Sequence, residues 1–322
     1  MNNHISPTSI FPLKELGVKG TLVAFNAGPD GEVIIVYALK PADYQSNQGM
    51  AIFPKIFGEA PQVYRVIKIQ NAAVAMDMFI KDEQFNIHDV QPMADNLLLA
   101  CARSEYRGPD DFDLNGRVYS RDGVLVGEIL LGDGVQTIQS TPGGELWVSY
   151  FDEGVFGNFG WNTPFGAPGL LALDQAGRKT YEFEPNGKAP PIDDCYALNV
   201  ASESDVWCYY YMDFPLVQIR NKEIAATWKV PVSGSSAFAI NGELVLFAGG
   251  YDRRHEFDLV RLNSDGTAKL LRRLILCDAS GAAVVPEQIV GRGTRLYLIS
   301  NESLYEVNID ANLISEADEF SS

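Results

Sequence analysis

The side chains with the clearest capacity for chemistry are one histidine and three aspartates, and they lie in two short segments. His88 and Asp89 occur in FNIHDVQ, and Asp193 and Asp194 occur in PPIDDCYALN. Each pair precedes an apolar run, so we expect both pairs to lie where the chain begins a β-strand. Carboxylates that converge at such positions could hold calcium, which takes about six to eight oxygen ligands. The alternative is that they cap strand ends and pair with arginine or backbone amides.

No motif indicates a nucleophile or a catalytic zinc. The sequence contains neither GxSxG nor HExxH. Its histidines are His4, His88 and His255, and the last lies in YDRRHEFD, a mixed-charge loop typical of a solvated salt-bridge cluster. The acidic run at 110–113 permits acid–base work, but such runs are usually solvated loops. We therefore assign no catalytic residue.

The most distinctive segment is DEGVFGNFGWNTPFGAPG at 152–169. It interleaves Phe156, Phe159, Trp161 and Phe165 with glycines and prolines. One interpretation is that these rings fold over the molecule and fill a channel, because exposed aromatic patches are rare on solitary soluble proteins. The other is an aromatic recognition surface, since rings on rigid loops give a large contact area at small entropic cost. Sugar binding by the Trp161 loop is a variant of the second interpretation.

The elements that must position these residues are short β-rich runs, each introduced by a turn. They are PDGEVIIVYAL (29–39), ADNLLLACA (94–102), GGELWVSYF (143–151), ESDVWCYYY (203–211), NGELVLFAG (241–249) and GTRLYLIS (293–300). Each is followed by two further strands that are joined by a tight turn, as in GRVYSRDGVLVGEIL. The pattern predicts an all-β fold, a six-bladed β-propeller of four-stranded antiparallel blades.

We expect a single domain over 1–322 that is closed by an N- or C-terminal strand. The segment NLISEADEFSS is too polar for a good fourth strand, so SIFPLKEL at 9–16 is the candidate closing strand. The alternatives are a seventh blade within 40–62 or a ring of five. The predicted blades run approximately over 17–82, 86–131, 135–184, 192–231, 235–277 and 284–318.

Loop lengths differ between the two ends of the predicted blades. The turns that join strands one to two and three to four are uniformly tight, whereas long segments at 40–62, 103–115, 152–168 and 249–258 join strands two to three. Long loops on one face of a rigid scaffold are where binding usually occurs. The predicted binding face comprises Tyr106, Phe112, Phe156, Phe159, Trp161, Phe165, Tyr251, Arg253, Arg254 and His255.

The repeat of a turn, an apolar strand and a strand-Asp-Gly-strand element, as in DLVRLNSDGTAKLL, resembles six-bladed propellers of the NHL, YWTD and gluconolactonase-like kinds. The resemblance covers most of the chain as an architecture, without a YWTD, WD40 or kelch motif. Resemblance to the gluconolactonase-like kind implies a metal at the central channel. Its ligands would be Asp89, Asp194, Asn199 and Glu287, with His88 as a proton carrier.

Composition excludes one class of partner and favours another. The chain of 322 residues carries 25 Lys plus Arg against 42 Asp plus Glu, so its net charge is 25 − 42 = −17. No basic cluster that could neutralise phosphates is present, which excludes a nucleic-acid partner of that kind.

The start of the chain lacks the pattern of a signal peptide and no apolar run is long enough to span a membrane, so we expect a cytoplasmic protein. The four cysteines are scattered, which favours buried free thiols over a disulfide or zinc framework.

Two functions from different classes fit these observations. The first is a non-enzymatic propeller that needs no cofactor and binds a protein partner through the loop-rich face. The partner would have a basic surface, such as that of a toxin or nuclease that the propeller neutralises. The second is a metal-dependent hydrolase or lactonase at the mouth of the central channel, with a divalent cation such as calcium.

Overall fold

The computed structural model describes residues 4–48, 51–251, 253 and 255–309, and for 47, 48 and 51–53 the backbone alone. These residues form six sheets, each built on four antiparallel strands. The predicted all-β fold, a six-bladed β-propeller closed by a terminal strand, is confirmed. In the segment considered as a seventh blade, the described residues form a two-stranded hairpin and, from Phe57, the beginning of a strand of the first sheet.

The chain begins with β1 (His4–Ile5), β2 (Thr8–Pro12) and a 3-10 helix (Leu13–Leu16). It divides into two compact units. Unit one comprises Gly17–Glu184 and Ile192–Asp194, and unit two comprises Met1–Leu16, Pro185–Pro191 and Cys195–Ser322.

Unit one contains three four-stranded sheets, a helix and two small hairpins. Sheet 1 has the order β3-β4-β7-β8, sheet 2 β9-β10-β13-β14 and sheet 3 β15-β16-β17-β18, while β5 pairs with β6 and β11 with β12. The elements are β3 (Thr21–Ala27), β4 (Val33–Ala38), β5 (Gln45–Gln48), β6 (Ala51–Pro54), β7 (Phe57–Gln70), β8 (Ala73–Phe85), β9 (Asp89–Met93), β10 (Asn96–Ala100), β11 (Tyr106–Gly108), β12 (Asp111–Phe112), β13 (Gly116–Tyr119), β14 (Leu125–Ile129), β15 (Val135–Ser140), β16 (Leu146–Tyr150), α1 (Asp152–Phe156), β17 (Leu170–Leu173) and β18 (Lys179–Glu182).

Unit two contains the other three sheets. Sheet 4 has the order β19-β20-β21-β22, sheet 5 β23-β24-β25-β26 with β1 added in parallel to β26, and sheet 6 β27-β28-β29-β2. The N-terminal β2 is the fourth strand of sheet 6 and pairs antiparallel with β29, as predicted for the closing strand. The strands are β19 (Asp194–Val200), β20 (Asp205–Tyr211), β21 (Pro215–Arg220), β22 (Glu223–Lys229), β23 (Phe238–Asn241), β24 (Leu244–Ala248), β25 (Glu256–Leu262), β26 (Ala268–Leu276), β27 (Gln288–Arg292), β28 (Arg295–Ser300) and β29 (Ser303–Asn308).

Tight turns between the third and fourth strands follow from local residue chemistry. Asn71 and Ala72 both have positive φ, at 52° and 58°, and so do Asn221 and Lys222, at 49° and 64°. Two consecutive positive φ angles are typical of the two-residue hairpin whose twist matches the flanking strands. Asparagine tolerates this conformation, which explains why the turns form at these positions.

The cores lie between neighbouring sheets within each unit. In unit one, apolar side chains pack between sheets 1 and 2, such as Ile34 and Leu99, and between sheets 2 and 3, such as Leu98 and Val148. In unit two, Phe247 lies in the core between sheets 4 and 5. Each such buried side chain contributes about 1.5–3 kcal/mol of hydrophobic stabilisation.

The direction of the inner strands places the long connections of unit one. Gln91 of β9 donates to the carbonyl oxygen of Ala27 in β3 and accepts from the N–H of Ser140 in β15. Two residues earlier, Asp89 accepts from Asn26 and from the N–H of Ile138, so the three strands run in the same direction. Because each sheet is antiparallel, the three connections between second and third strands emerge at one end of unit one.

All four cysteines are free and buried, as the sequence predicts. Within the described ranges, no helix has the length and apolar character required to span a bilayer.

Candidate functional site

Asp89 joins three inner strands of unit one through its carboxylate. Oδ1 accepts hydrogen bonds from Nδ2 of Asn26 at 2.7 Å and from the N–H of Val90 at 2.6 Å. Oδ2 accepts from Oγ1 of Thr137 at 3.0 Å and from the N–H of Ile138 at 2.8 Å. Burial raises the pKa of Asp89 to about 6, although these donors oppose the shift. Both oxygens of Asp89 are engaged in holding strands together.

Asn199 has a similar position in unit two. Its Nδ2 donates to the carbonyl oxygens of Phe238 at 2.8 Å and Gly293 at 3.0 Å, and its Oδ1 accepts from the N–H of Gly293 at 2.7 Å. The side chain is fully buried. It links an inner strand of sheet 4 to sheets 5 and 6.

The predicted metal ligands do not come together as a set within the part of the chain that is described. Glu287 is exposed and its Oε1 accepts from the N–H of Asn301 at 2.8 Å. Among the described residues, no three His, Cys, Asp or Glu side chains form a group that could hold a metal ion. The side-chain polar atoms of Asp89 and Asn199 are engaged in hydrogen bonds that hold strands together, so we derive no metal-dependent step. The metal site stays a prediction.

His88, the predicted proton carrier, is half-buried at the start of sheet 2. Its Nδ1 accepts a hydrogen bond from the N–H of Ala102 at 3.2 Å, and its ring packs edge-on against Tyr44 at 5.0 Å. Burial lowers the pKa of His88 to about 4, and the nearby charge of Arg103 acts in the same direction. His88 is therefore neutral at physiological pH.

Three of the predicted aromatic residues of the 103–115 and 152–168 segments, Tyr106, Phe112 and Trp161, pack on one another in unit one. The indole Nε1 of Trp161 donates to the carbonyl oxygen of Ser104 at 2.7 Å, and its ring lies 4.9 Å from that of Tyr106 and 6.1 Å from that of Phe112. Trp161 is only 8% exposed. A Cβ on Gly160 would lie 2.1 Å from the carbonyl oxygen of Tyr106, so only glycine permits this approach. The contacts fix the two segments against each other.

Arg103 anchors the start of α1. Its guanidinium lies 3.0 Å from Oδ1 of Asp133 and 2.5 Å from Oε2 of Glu153, and it stacks on the ring of Phe159 at 4.5 Å. Burial raises the pKa of Asp133 to about 6, while the charge of Arg103 opposes the shift. The positive charge of Arg103 is thus already used by two carboxylates.

Beside this anchor, unit one presents a surface that we call the α1 surface: Asp152, Asp194 and Phe156. Burial, together with the charge of Asp152, raises the pKa of Asp194 to about 6. Among the described residues, no hydrogen-bond donor contacts the carboxylate of Asp194. Phe156 at the end of α1 is 67% exposed. The α1 surface therefore combines an exposed ring with the carboxylate of Asp194, which has no donor among the described residues, and with that of Asp152, which accepts from the N–H of Glu153.

Unit two presents a second aromatic group, which we call the turn surface: Tyr211, Met212, Asp213 and Tyr251. Tyr211, Met212 and Tyr251 are 43%, 55% and 53% exposed. Buried Phe214 supports them, with ring centroids 5.7 Å from Tyr211 and 5.9 Å from Tyr251. Both segments connect second to third strands, in sheets 4 and 5.

The remaining predicted binding residues have varied positions. Half-buried Phe165 lies under the ammonium of Lys179, at 4.5 Å from Nζ to the ring centroid. Arg253 makes ion pairs with Glu256 at 3.5 Å and Asp258 at 3.3 Å. His255 is exposed. Arg254 lies outside the described residues.

Two features of these surfaces escape sequence reasoning. The sequence does not indicate that Asp152 and Asp194 lie near each other, because 42 residues separate them and only the fold brings their charges together. Tyr211 and Met212 are exposed in the short turn that follows β20, whereas the sequence indicates binding residues on the long connections. The signal that could reveal this exposure is the run of three tyrosines that reaches the turn, since alternation in a strand cannot bury all of them on one face.

The fold places the chain among the six-bladed β-propellers. Residues 165–307, less than half of the chain, match the YxzG family. The comparison with curated proteins gave no match.

Similar solved structures include a chain of the mitotic checkpoint complex, with a TM-score of 0.49 and 6% identity over 91% of this chain and 89% of that one. A gluconolactonase from Xanthomonas campestris has a TM-score of 0.42 and 12% identity over 90% and 97%. A catalytically inactive virginiamycin B lyase from Staphylococcus aureus, solved with quinupristin, has a TM-score of 0.44 and 9% identity over 90% and 96%.

Proposed function

We propose that this protein is a non-enzymatic β-propeller that binds a protein partner with a basic surface, such as a basic toxin or nuclease that it neutralises. The observation that carries the proposal is the α1 surface. Two carboxylates that repel each other and a ring that is 67% exposed lie at the end of unit one from which its long connections emerge.

Electrostatics explains why the partner would be basic. Near α1, the guanidinium of Arg103 pairs with Asp133 and Glu153, whereas the charges of Asp152 and Asp194 act on each other. A lysine or arginine from a partner would relieve the repulsion between Asp152 and Asp194. The net charge of −17 would attract such a partner over long range and raise the association rate.

The exposed ring supplies the apolar part of the contact. Phe156 offers an exposed aromatic ring, which is typical of residues that dominate binding energy. A basic side chain can lay its methylene stem on such a ring while its charged head reaches the carboxylates. No comparable observation favours the hydrolase.

The test begins with affinity capture from a lysate of the source organism, followed by binding kinetics with the purified partner. We expect the association rate to fall about tenfold or more between roughly 0.05 and 0.5 M salt, because screening removes the long-range attraction. We expect Phe156→Ala to weaken binding about tenfold or more, as for a central contact residue. The matched control is Phe79→Ala, which removes a phenylalanine of similar exposure, 47%, from the outer strand β8 and should change affinity less than about twofold.

Two variants that each remove one carboxylate complete the test. Asp152→Asn should weaken binding, whereas Asp95→Asn, at the opposite end of sheet 2, removes the same charge and should have little effect. Association rates that do not depend on salt, or equal effects of the matched variants, would contradict the proposal.

A further inference from the structure

We infer that the turn surface of unit two is a second recognition site, which takes a lysine or arginine side chain of the partner between the rings of Tyr211 and Tyr251 and the carboxylate of Asp213. This inference rests on the proposed function, because it names the side chain that a basic partner would insert.

The first step is that one ring of the surface is held in place while it stays open to solvent. Tyr251 lies face-on over Gly234, since a Cβ on that glycine would be 2.7 Å from each of the Cγ, Cδ1 and Cδ2 atoms of the ring. Its hydroxyl lies 2.5 Å from that of Tyr196, and the two rings are nearly perpendicular, at 88°. Tyr251 is still 53% exposed. A fixed ring loses little entropy when a ligand covers it.

The second step concerns how the turn presents Tyr211 and Met212. Phe214 is buried and stacks on Tyr209 at 5.4 Å, which anchors the end of the turn. Asp213 and Phe214 both have positive φ, at 62° and 50°. The anchored turn therefore directs Tyr211 and Met212 outward beside Tyr251.

The third step is the charge of the surface. Asp213 is exposed, and among the described residues no hydrogen bond or ion pair engages its carboxylate. The neighbouring Arg253 and Arg273 are both held by Asp258, and Arg253 also by Glu256, so two arginines and two carboxylates cancel. Among the described residues of the turn surface, the carboxylate of Asp213 is the charge that has no partner.

Together these features match a cation rather than an apolar or anionic group. The faces of tyrosine rings attract cations through their quadrupole, and a carboxylate within the same surface adds a charge–charge contact. The long stems of lysine and arginine cover apolar area such as Met212 while the charged head stays near Asp213. An anion would be repelled by Asp213 and by the net charge of −17.

The experiment is an NMR titration of the full chain with a capped tetralysine peptide, with ring signals of Tyr211, Tyr251 and Phe156 assigned. The matched probe is the same peptide acetylated at every Nζ, which keeps the stems and removes the charges. We expect the charged peptide to shift the Tyr211 and Tyr251 signals in a saturable way, and the acetylated peptide to leave them unchanged.

Three variants and one matched control, Asp95→Asn, sharpen the titration. We expect Tyr251→Ala to weaken the peptide affinity about threefold or more and Tyr251→Phe to keep it within about twofold, since the ring rather than the hydroxyl contacts the cation. Asp213→Asn should weaken it about twofold, as for an exposed ion pair, whereas Asp95→Asn removes the same charge elsewhere and should not. Tyr251→Phe also serves as the folded control.

Equal shifts from both peptides, or an unchanged affinity in Tyr251→Ala, would overturn the inference. That failure would leave the proposed function intact if the α1 variants still weaken partner binding. If instead the α1 variants do not weaken partner binding while the charged peptide still shifts the tyrosine signals, the proposed function is wrong.

Discussion

Asp89 begins the inner strand of sheet 2 and Asp194 begins the inner strand of sheet 4, and burial raises the pKa of each to about 6. Their surroundings nevertheless differ. Asp89 accepts four hydrogen bonds from three strands, whereas Asp194 accepts none from the described residues and faces the charge of Asp152. The comparison shows that a raised pKa alone does not distinguish a structural carboxylate from one placed to meet a partner. The hydrogen-bond partners make that distinction.

The largest expected effect is on the structural side of the comparison. We expect Asp89→Ala to lower the free energy of unfolding by about 2–4 kcal/mol, because the buried N–H of Ile138 and one N–H of the Asn26 amide lose their acceptor. Chemical denaturation measures this. The control, Asp95→Ala, alters a carboxylate that is 96% exposed on its side chain and should cost less than about 0.5 kcal/mol. If Asp89→Ala lowered the free energy of unfolding by less than about 1 kcal/mol, Asp89 would not be a structural carboxylate of the kind described.

A smaller effect of opposite sign is expected for Asp194. Its pKa is about 6 in the folded protein against 3.8 ordinarily, so the unfolded chain ionises first and stability falls as the pH rises from about 4 to about 6. Asp194→Asn removes this penalty and should stabilise the protein at pH 7–8, by less than about 1 kcal/mol because solvent screens a partly exposed group. Below about pH 4 the gain should vanish, since the native carboxyl is then protonated in both states. Melting curves at pH 4 and 7.5 measure the effect, and a destabilised variant at pH 7.5 would show that Asp194 has a structural partner.

The fold follows from sequence because its signals are local. Alternating apolar residues bounded by Asp-Gly and Asn-Gly turns mark strands wherever they occur, and the polar segment after β29 indicates that a strand from elsewhere must complete sheet 6. The same reasoning identifies AKLLRRLIL as the outer strand β26 despite its mixed spacing.

The surfaces are harder to predict because they depend on contacts between distant segments. Trp161 and Phe156 are five residues apart in one aromatic loop, yet the carbonyl oxygen of Ser104 and the ring of Tyr106 bury the first and leave the second exposed. Similarly, the sequence places Asp89 at the start of a strand but does not reveal that Thr137 and Ile138 supply its donors. Burial and partner identity are tertiary properties that composition and spacing do not encode.

The most direct test of the proposed function is the pKa of Asp194 with and without the purified partner, followed through its carboxyl carbon by NMR. The account predicts that a partner cation lowers the pKa of Asp194 from about 6 towards its ordinary value near 4, while the pKa of Asp89 does not change. If the partner binds and the pKa of Asp194 stays the same or rises, the α1 surface does not receive a basic group, and the account is wrong.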